Sequence, residues 1–323
     1  MKRNSFFKLA LAAGLVSKTS FAERLYALPE KIGTPLPKRP LGKTGESLTI
    51  VGFGGNIIKG EEQASADRMV HEAYYEWGVN YFDVAPAYGN AEILMGPPLE
   101  PFRKEIFLSC KTQKRDRAGS QAELEESLRR LRTDHFDLYQ HHYLNSKEDI
   151  DKVFGPDGAM ETMVRARKEG KTRFLGFSAH TVEAALAAMK NYDFDTIMFP
   201  LNYVSWYKVN FGPQIVEMAR SKGMGILAIK PGARCPRQRG EAPDEYSKCW
   251  YRPFKTEEEI ARSYYFTLSL PVTSTLPPQM NRLFQMACRA AQSFVPLSEA
   301  EKEFLKAEAA KENSIFEYPA WPA

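Results

Sequence analysis

Short apolar runs without polar alternation recur along this chain, each followed by an amphipathic stretch of helical period. After VGFGG (51–55) come VNYFDVA (79–85), IFLSCKT (106–112), FDLYQHH (136–142), FLGFSAH (174–180), TIMFPLNY (196–203), GILAIKPG (225–232) and PVTSTLP (271–277). The stretches between them include ASADRMVHEAYYEWG (64–78), SQAELEESLRRLR (120–132), AMETMVRARKEG (159–170) and TEEEIARSYYFTLSL (256–270). A strand that does not alternate is buried on both faces, the condition of a parallel sheet covered by helices. The βα units number about eight, which is the number that closes a barrel. A doubly wound open sheet that binds a dinucleotide would carry G-x-G-x-x-G after its first strand, and GFGGN (52–56) lacks that spacing. The sequence therefore predicts an α/β protein, a single-domain (β/α)8 TIM barrel over residues 39–310, with 311–323 as a C-terminal tail.

Chemistry in such a barrel collects at the C-terminal ends of the strands. Asp83 closes VNYFD, Tyr88 follows in the loop APAYGN, Lys111 closes IFLSCK and His142 closes FDLYQHH. Each has a plainer use when taken singly. Asp83 or Lys111 would serve a structural ion pair, Tyr88 packing, and His142 the core. Their placement on three successive strand ends points to joint use as a catalytic set. A phenol with its ordinary pKa of about 10 is a poor acid near neutrality. An adjacent ammonium lowers that pKa, and a carboxylate keeps the ammonium charged and in place. An imidazole can orient a carbonyl oxygen or share its proton. Such a site donates a proton to a carbonyl while a hydride reaches its carbon, so a nicotinamide cofactor is implied.

Composition excludes several other classes. The net charge of +4 on 323 residues is small, and basic residues alternate with acidic ones, so no nucleic-acid partner is expected. The one dense basic stretch, GARCPRQRG (232–240), reads as a solvated loop or an anion-contacting one. The four cysteines form no C-x-x-C pair and no zinc spacing, so no metal is expected. Cys110 reads as a small buried hydrophobe, and Cys235 could pair with Cys249 in an oxidising compartment.

Residues 38–290 resemble the aldo-keto reductase family. RPLGKTGESLTIVGFGG is similar to its opening hairpin and first strand, and YFDVAPAYGNAE to its D-T-A-x-x-Y-G-x-x-E. FLSCK is similar to its lysine strand, DLYQHH to D-L-Y-x-x-H, and KTRFLGFSAH to K-I-R-x-x-G-V-S-N. The resemblance implies reduction of an aldehyde or ketone by NADP(H), with NAD possible. It also implies a catalytic tetrad of Asp83, Tyr88, Lys111 and His142, with Tyr88 as proton donor. The histidine five residues after the motif's aspartate is His142, not His141.

On the cofactor side the chain departs from the family pattern. It has Ser178-Ala179 for S-N, Met198 for a glutamine, and Ala228-Ile229-Lys230-Pro231 for A-Y-S-P. Ser178, Asn202, Lys230, Ser274 and Arg282 are the expected cofactor contacts. Phe53, Trp206 and Tyr207 are the expected substrate pocket, for a small-molecule carbonyl compound. The alternative is a nucleotide-binding regulatory barrel with little turnover, which the weakened nicotinamide contacts favour and the intact tetrad opposes.

Residues 1–22 run basic (MKRNSFFK), then apolar (LALAAGLV), then small-x-small at Ser20 and Ala22, the layout of an export signal. The apolar run is too short to span a bilayer, so no stable membrane insertion is expected. The segment resembles a twin-arginine leader, although Asn4 stands where the second arginine belongs. Residues 23–38, with three prolines, read as a linker. A periplasmic mature protein is the expectation.

Overall fold

The computed structural model describes residues 35–319. The segment expected to be an export signal, 1–22, lies outside the described residues, as does most of the 23–38 linker.

In chain order the strands are β1 (Lys38–Pro40), β2 (Ser47–Thr49), β3 (Phe53–Gly54), β4 (Tyr81–Asp83), β5 (Phe107–Thr112), β6 (Phe136–Leu144), β7 (Thr172–Ala179), β8 (Thr196–Pro200), β9 (Gly225–Ile229), β10 (Ala233–Pro236), β11 (Tyr251–Pro253) and β12 (Ser274–Leu276). Eight of them form one parallel sheet in the order β3, β4, β5, β6, β7, β8, β9, β12. The sheet closes where Gly52 N donates to Thr275 O and Thr275 N donates to Ile50 O, both at 2.9 Å. With helices between successive strands, this is the (β/α)8 barrel that the apolar runs predict.

Strand period explains the missing alternation. On β4 to β6 the residues Tyr81, Asp83, Ser109, Lys111, Leu138 and Gln140 face the interior. Phe82, Leu108, Cys110 and Tyr139 face the helices, and both sets are buried. The lower interior is filled by Tyr81, Phe107, Leu138, Met198, Leu227 and Leu276, a cluster separate from the larger core under the helices. The β1–β2 hairpin stops the bottom of the barrel, and its Leu41 and Leu48 complete that inner cluster. Gly42 makes the hairpin's close approach possible. Its φ is +52°, and a Cβ there would lie 2.4 Å from Gly225 N.

The chain beyond Ala310, expected as a tail, folds back over the open end. Ser314 Oγ bonds Ser205 Oγ at 2.9 Å, and Phe316 stacks on Phe211 with ring centroids 4.7 Å apart. The mouth is therefore roofed by the last residues described.

Leu48→Ala opens a cavity in a fully buried plug far from the mouth. It is expected to cost about 2–5 kcal/mol in urea unfolding. Activity per folded molecule should stay within about twofold of the parent, because the plug and the mouth are at opposite ends of the strands. A larger loss of activity at unchanged stability would contradict this separation.

Candidate active site

Asp83 ends β4 and Lys111 lies near the end of β5, and both side chains turn into the barrel. They form a fully buried ion pair between Lys111 Nζ and Asp83 Oδ2. Ser109 Oγ donates to Asp83 Oδ1 at 2.5 Å, Gln140 Nε2 approaches the same oxygen at 3.4 Å, and Lys111 also donates to Val84 O at 3.2 Å. Burial is the strongest influence on Lys111 and pulls its pKa down, but Asp83 and Tyr88 together hold it above the ordinary lysine value. Lys111 is thus a cation at any physiological pH.

Tyr88 sits in the turn after β4, which its own backbone N–H closes by donating to Ala85 O at 3.0 Å. Its ring centroid is 5.2 Å from Lys111 Nζ and 5.7 Å from the His142 ring, which it meets edge-on at 87°. Burial raises the Tyr88 pKa, and Lys111 pulls against that rise through its charge and a hydrogen bond. The net direction is upward, so the ammonium moderates the phenol without bringing it below 10. His142 is held well below the usual imidazole range by burial first, then by the positive charges of Lys111, Lys230 and Arg115. It is a neutral imidazole near pH 7.

Strand alternation separates the two adjacent histidines. His142 points into the mouth, whereas His141 points outward among Phe154 and Phe194, with its pKa pushed down to about 3 by burial. After His142 the chain turns sharply, with Tyr143 in the left-handed region at φ +64°. Three contacts fix that turn. Arg115 donates to His142 O at 3.0 Å and to Tyr143 O at 2.9 Å, and Tyr143 N donates to Ser178 Oγ at 2.8 Å. Arg115 is itself anchored on Asp149 at 2.7 Å. No spacing in the sequence marks Arg115 as a support of His142, because the loop that carries it is one of several basic ones.

These groups line a cavity of ≈ 200 Å3. Asp83, Tyr88 and His142 form its reactive side, Met198, Ile229 and Leu276 an apolar side, and Trp250 and Tyr251 a cover from the β10–β11 hairpin. Of the expected cofactor contacts, Ser178 and Lys230 line this cavity. Asn202 does not line it and is the N-cap of the helix Tyr203–Val209. Its Oδ1 accepts from Ser205 N at 2.9 Å, while its Nδ2 is buried with no hydrogen-bond partner. Ser274 is in register with Leu227, inside the barrel and beneath Leu276, so the layer above screens it from the mouth. Arg282 is exposed at the start of the helix Asn281–Gln292.

The expected substrate pocket needs correction. Phe53 is paired with Phe82, which puts it on the outer face of β3, and it packs edge-on against Phe284 at 5.3 Å. Gly54 faces the mouth in its place. Trp206 and Tyr207 pack against Phe266 at 5.7 and 5.4 Å, on the side of their helix away from the cavity. The aromatic cover comes from Trp250 and Tyr251, about forty residues further along the chain, because a hairpin inserted after β9 reaches back over the strand ends. The basic stretch 232–240 runs through that hairpin, and two of its arginines are paired with carboxylates. Arg237 pairs with Asp244 at 2.7 Å and Arg234 with Glu312 at 2.8 Å. Cys235 and Cys249 are both free thiols.

Comparison with known proteins agrees with this geometry. L-galactose dehydrogenase of Arabidopsis thaliana is 26% identical over 215 residues, 61% of this chain and 66% of that protein. The uncharacterized oxidoreductase YqkF of Bacillus subtilis (strain 168) is 28% identical over 214 residues, 60% of this chain and 67% of that protein. The match thus spans about two thirds of the length of these curated relatives. Among solved structures, a putative aldo-keto reductase from Pseudomonas aeruginosa superposes with a TM-score of 0.64 at 24% identity, over 81% of this chain and 98% of that one. The holo form of an aldo-keto reductase from Bacillus halodurans gives 0.66 at 21% identity, over 88% and 99%. At those identities the superpositions speak for the fold. Residues 51–247 match the model of the Aldo/keto reductase family, and with more than half of its length so matched this chain belongs to that family.

Proposed function

We propose that this protein reduces an aldehyde or ketone to the alcohol with NADP(H), using Tyr88 as the proton donor. The observation that carries the reading is Tyr88 itself, set between a buried ammonium and a neutral imidazole at the rim of one small cavity.

The residues present fit a nicotinamide. Met198, Ile229 and Leu276 offer apolar surface for a flat ring in the cavity that Tyr88 and His142 also line, and Ser178 is a polar group of the same lining. When bound, the reduced cofactor supplies a hydride to the carbonyl carbon. His142, being neutral, orients the carbonyl oxygen through a hydrogen bond without carrying charge into the site. Tyr88 gives its hydroxyl proton to that oxygen as the C=O double bond becomes a C–O single bond. The phenolate left behind is stabilised by Lys111, which Asp83 holds charged and in position. A proton from water restores the phenol. Exposed Arg282, as a contact for a ribose 2′-phosphate, supports NADP over NAD.

Tyr88→Phe keeps the ring and removes the proton. It is expected to lower kcat for a neutral aldehyde by about 10²–10⁴-fold. NADPH affinity, read by fluorescence titration, should change little. Full activity in the variant would end the proton-donor assignment, and retained nucleotide with no turnover in the parent would favour the regulatory barrel. The phenol must hold its proton to act, and its pKa is raised. The reduction rate should therefore be flat through neutrality and fall only above about pH 10. Lys111→Met removes the charge that pulls this pKa down, so the alkaline limb of the residual activity should move to higher pH. A limb that moves to lower pH would contradict the role of Lys111.

We also propose export to the periplasm with cleavage after Ala22. A receptor-read arginine route should be blocked by Arg3→Lys, and a charge-read route should not. Cell fractionation with N-terminal sequencing separates the two, and a cytoplasmic protein retaining Met1 rules out both.

A further inference from the structure

Lys230 is the one charged group of the cavity that the reduction chemistry above does not use. It follows β9 with φ +58°, a left-handed conformation that a lysine keeps only where its surroundings enforce it. Its ammonium lies 3.0 Å from His180 Nε2, 5.7 Å from the Trp250 ring centroid and 5.9 Å from that of Phe316. His180 is wedged in turn against Tyr143, with rings 4.6 Å apart, and Phe316, at 5.6 Å. The ammonium is thus boxed by two rings and an imidazole drawn from three distant parts of the chain.

The charge balance of the box is one-sided. Among the described residues Asp83 is the only carboxylate lining the cavity, and Lys111 occupies it. Among the described residues no carboxylate pairs with Lys230 at ion-pair distance. His180 offers no compensating charge, since burial and then Lys230 hold it well below the usual imidazole range. The ammonium itself is pushed down to about 7, chiefly by burial. Burial thus leaves this amine only partly protonated near neutrality, and an anion bound against it would restore the full charge. Lys230 lines the same cavity as Tyr88 and His142, its charge helps to hold the His142 pKa down, and Trp250 beside it is half exposed.

We infer that Lys230, steadied by His180 and boxed by Trp250 and Phe316, is a recognition site for a carboxylate carried by the substrate. The enzyme then selects small carbonyl compounds that bear an anionic group. The inference rests on the carbonyl-reduction reading, and a phosphate of the cofactor is the competing source of the same negative charge.

The test compares 4-carboxybenzaldehyde with the neutral, similarly sized 4-nitrobenzaldehyde, in the parent enzyme and in Lys230→Met and Lys230→Arg. The expected result is a kcat/KM ratio that favours the carboxylate in the parent and falls at least about tenfold in Lys230→Met. That is the low end for a hydrogen bond to a charged group. The change should lie mainly in KM, and Lys230→Arg should retain the preference. A ratio that is the same in parent and Lys230→Met overturns the proposal, all the more if NADPH affinity drops in the variant, which would assign Lys230 to the cofactor. If the parent reduces neither aldehyde, it is the reduction reading that fails. The subsite is then read directly by calorimetry with benzoate. Binding by the parent that is lost in Lys230→Met sustains it, and absence of binding to the parent overturns it.

Discussion

The buried pair of Asp83 and Lys111 is the constraint around which the open end of this barrel is organised. Two charges taken out of water are costly, and their attraction offsets that cost only when the remaining polar atoms are also satisfied. Here Ser109, Gln140 and the Val84 carbonyl serve that purpose. Each of those partners is an inward residue of β5 or β6 or sits at the end of β4, so the pair specifies polar residues on three neighbouring strands. A pair so placed does little for stability that well-packed apolar side chains would not do. What it provides is a fixed positive charge beside Tyr88.

The interior is accordingly layered. Apolar side chains and the β1–β2 plug fill the lower part, and the polar layer lies above them at the strand ends. Packing below makes the site stiff, because a close-packed interior leaves the strands little freedom to shift against each other. Above the polar layer, precision comes from loop contacts instead. Arg115 grips the two carbonyls around the turn after His142, and Ser178 takes the Tyr143 N–H. Without such contacts a left-handed tyrosine next to His142 would relax toward commoner backbone angles.

The mouth is assembled from segments far apart in sequence. Trp250 and Tyr251 come from the hairpin after β9, His180 from the end of β7 and Phe316 from the end of the described chain. Arg237 pairs with Asp244 and Glu241 and Arg234 with Glu312, which ties the cover down and ties the last segment to it. Lys230 stands outside these ion-pair networks, against His180, Trp250 and Phe316.

The sequence by itself determined the barrel and the meeting of Asp83, Tyr88, Lys111 and His142 at its open end. Parallel strands buried on both faces leave an unbroken apolar signature, and the polar residues that interrupt it at successive strand ends converge wherever those strands lie side by side. The departures from the family pattern at Met198 and Ile229 were likewise visible, since they sit in strands of assigned register. Tertiary structure alone decided which aromatics line the cavity. Phe53 is one residue away from facing the mouth, and with a period of two one residue is the whole difference between inside and outside. Trp206 and Tyr207 lie on a short helix whose rotation depends on Phe266, a partner sixty residues away. Arg115, His180 and Trp250 gain their roles only through contacts across the closed barrel. Linear spacing carries no record of which loops meet above the strands, because that is set by the packing of the whole.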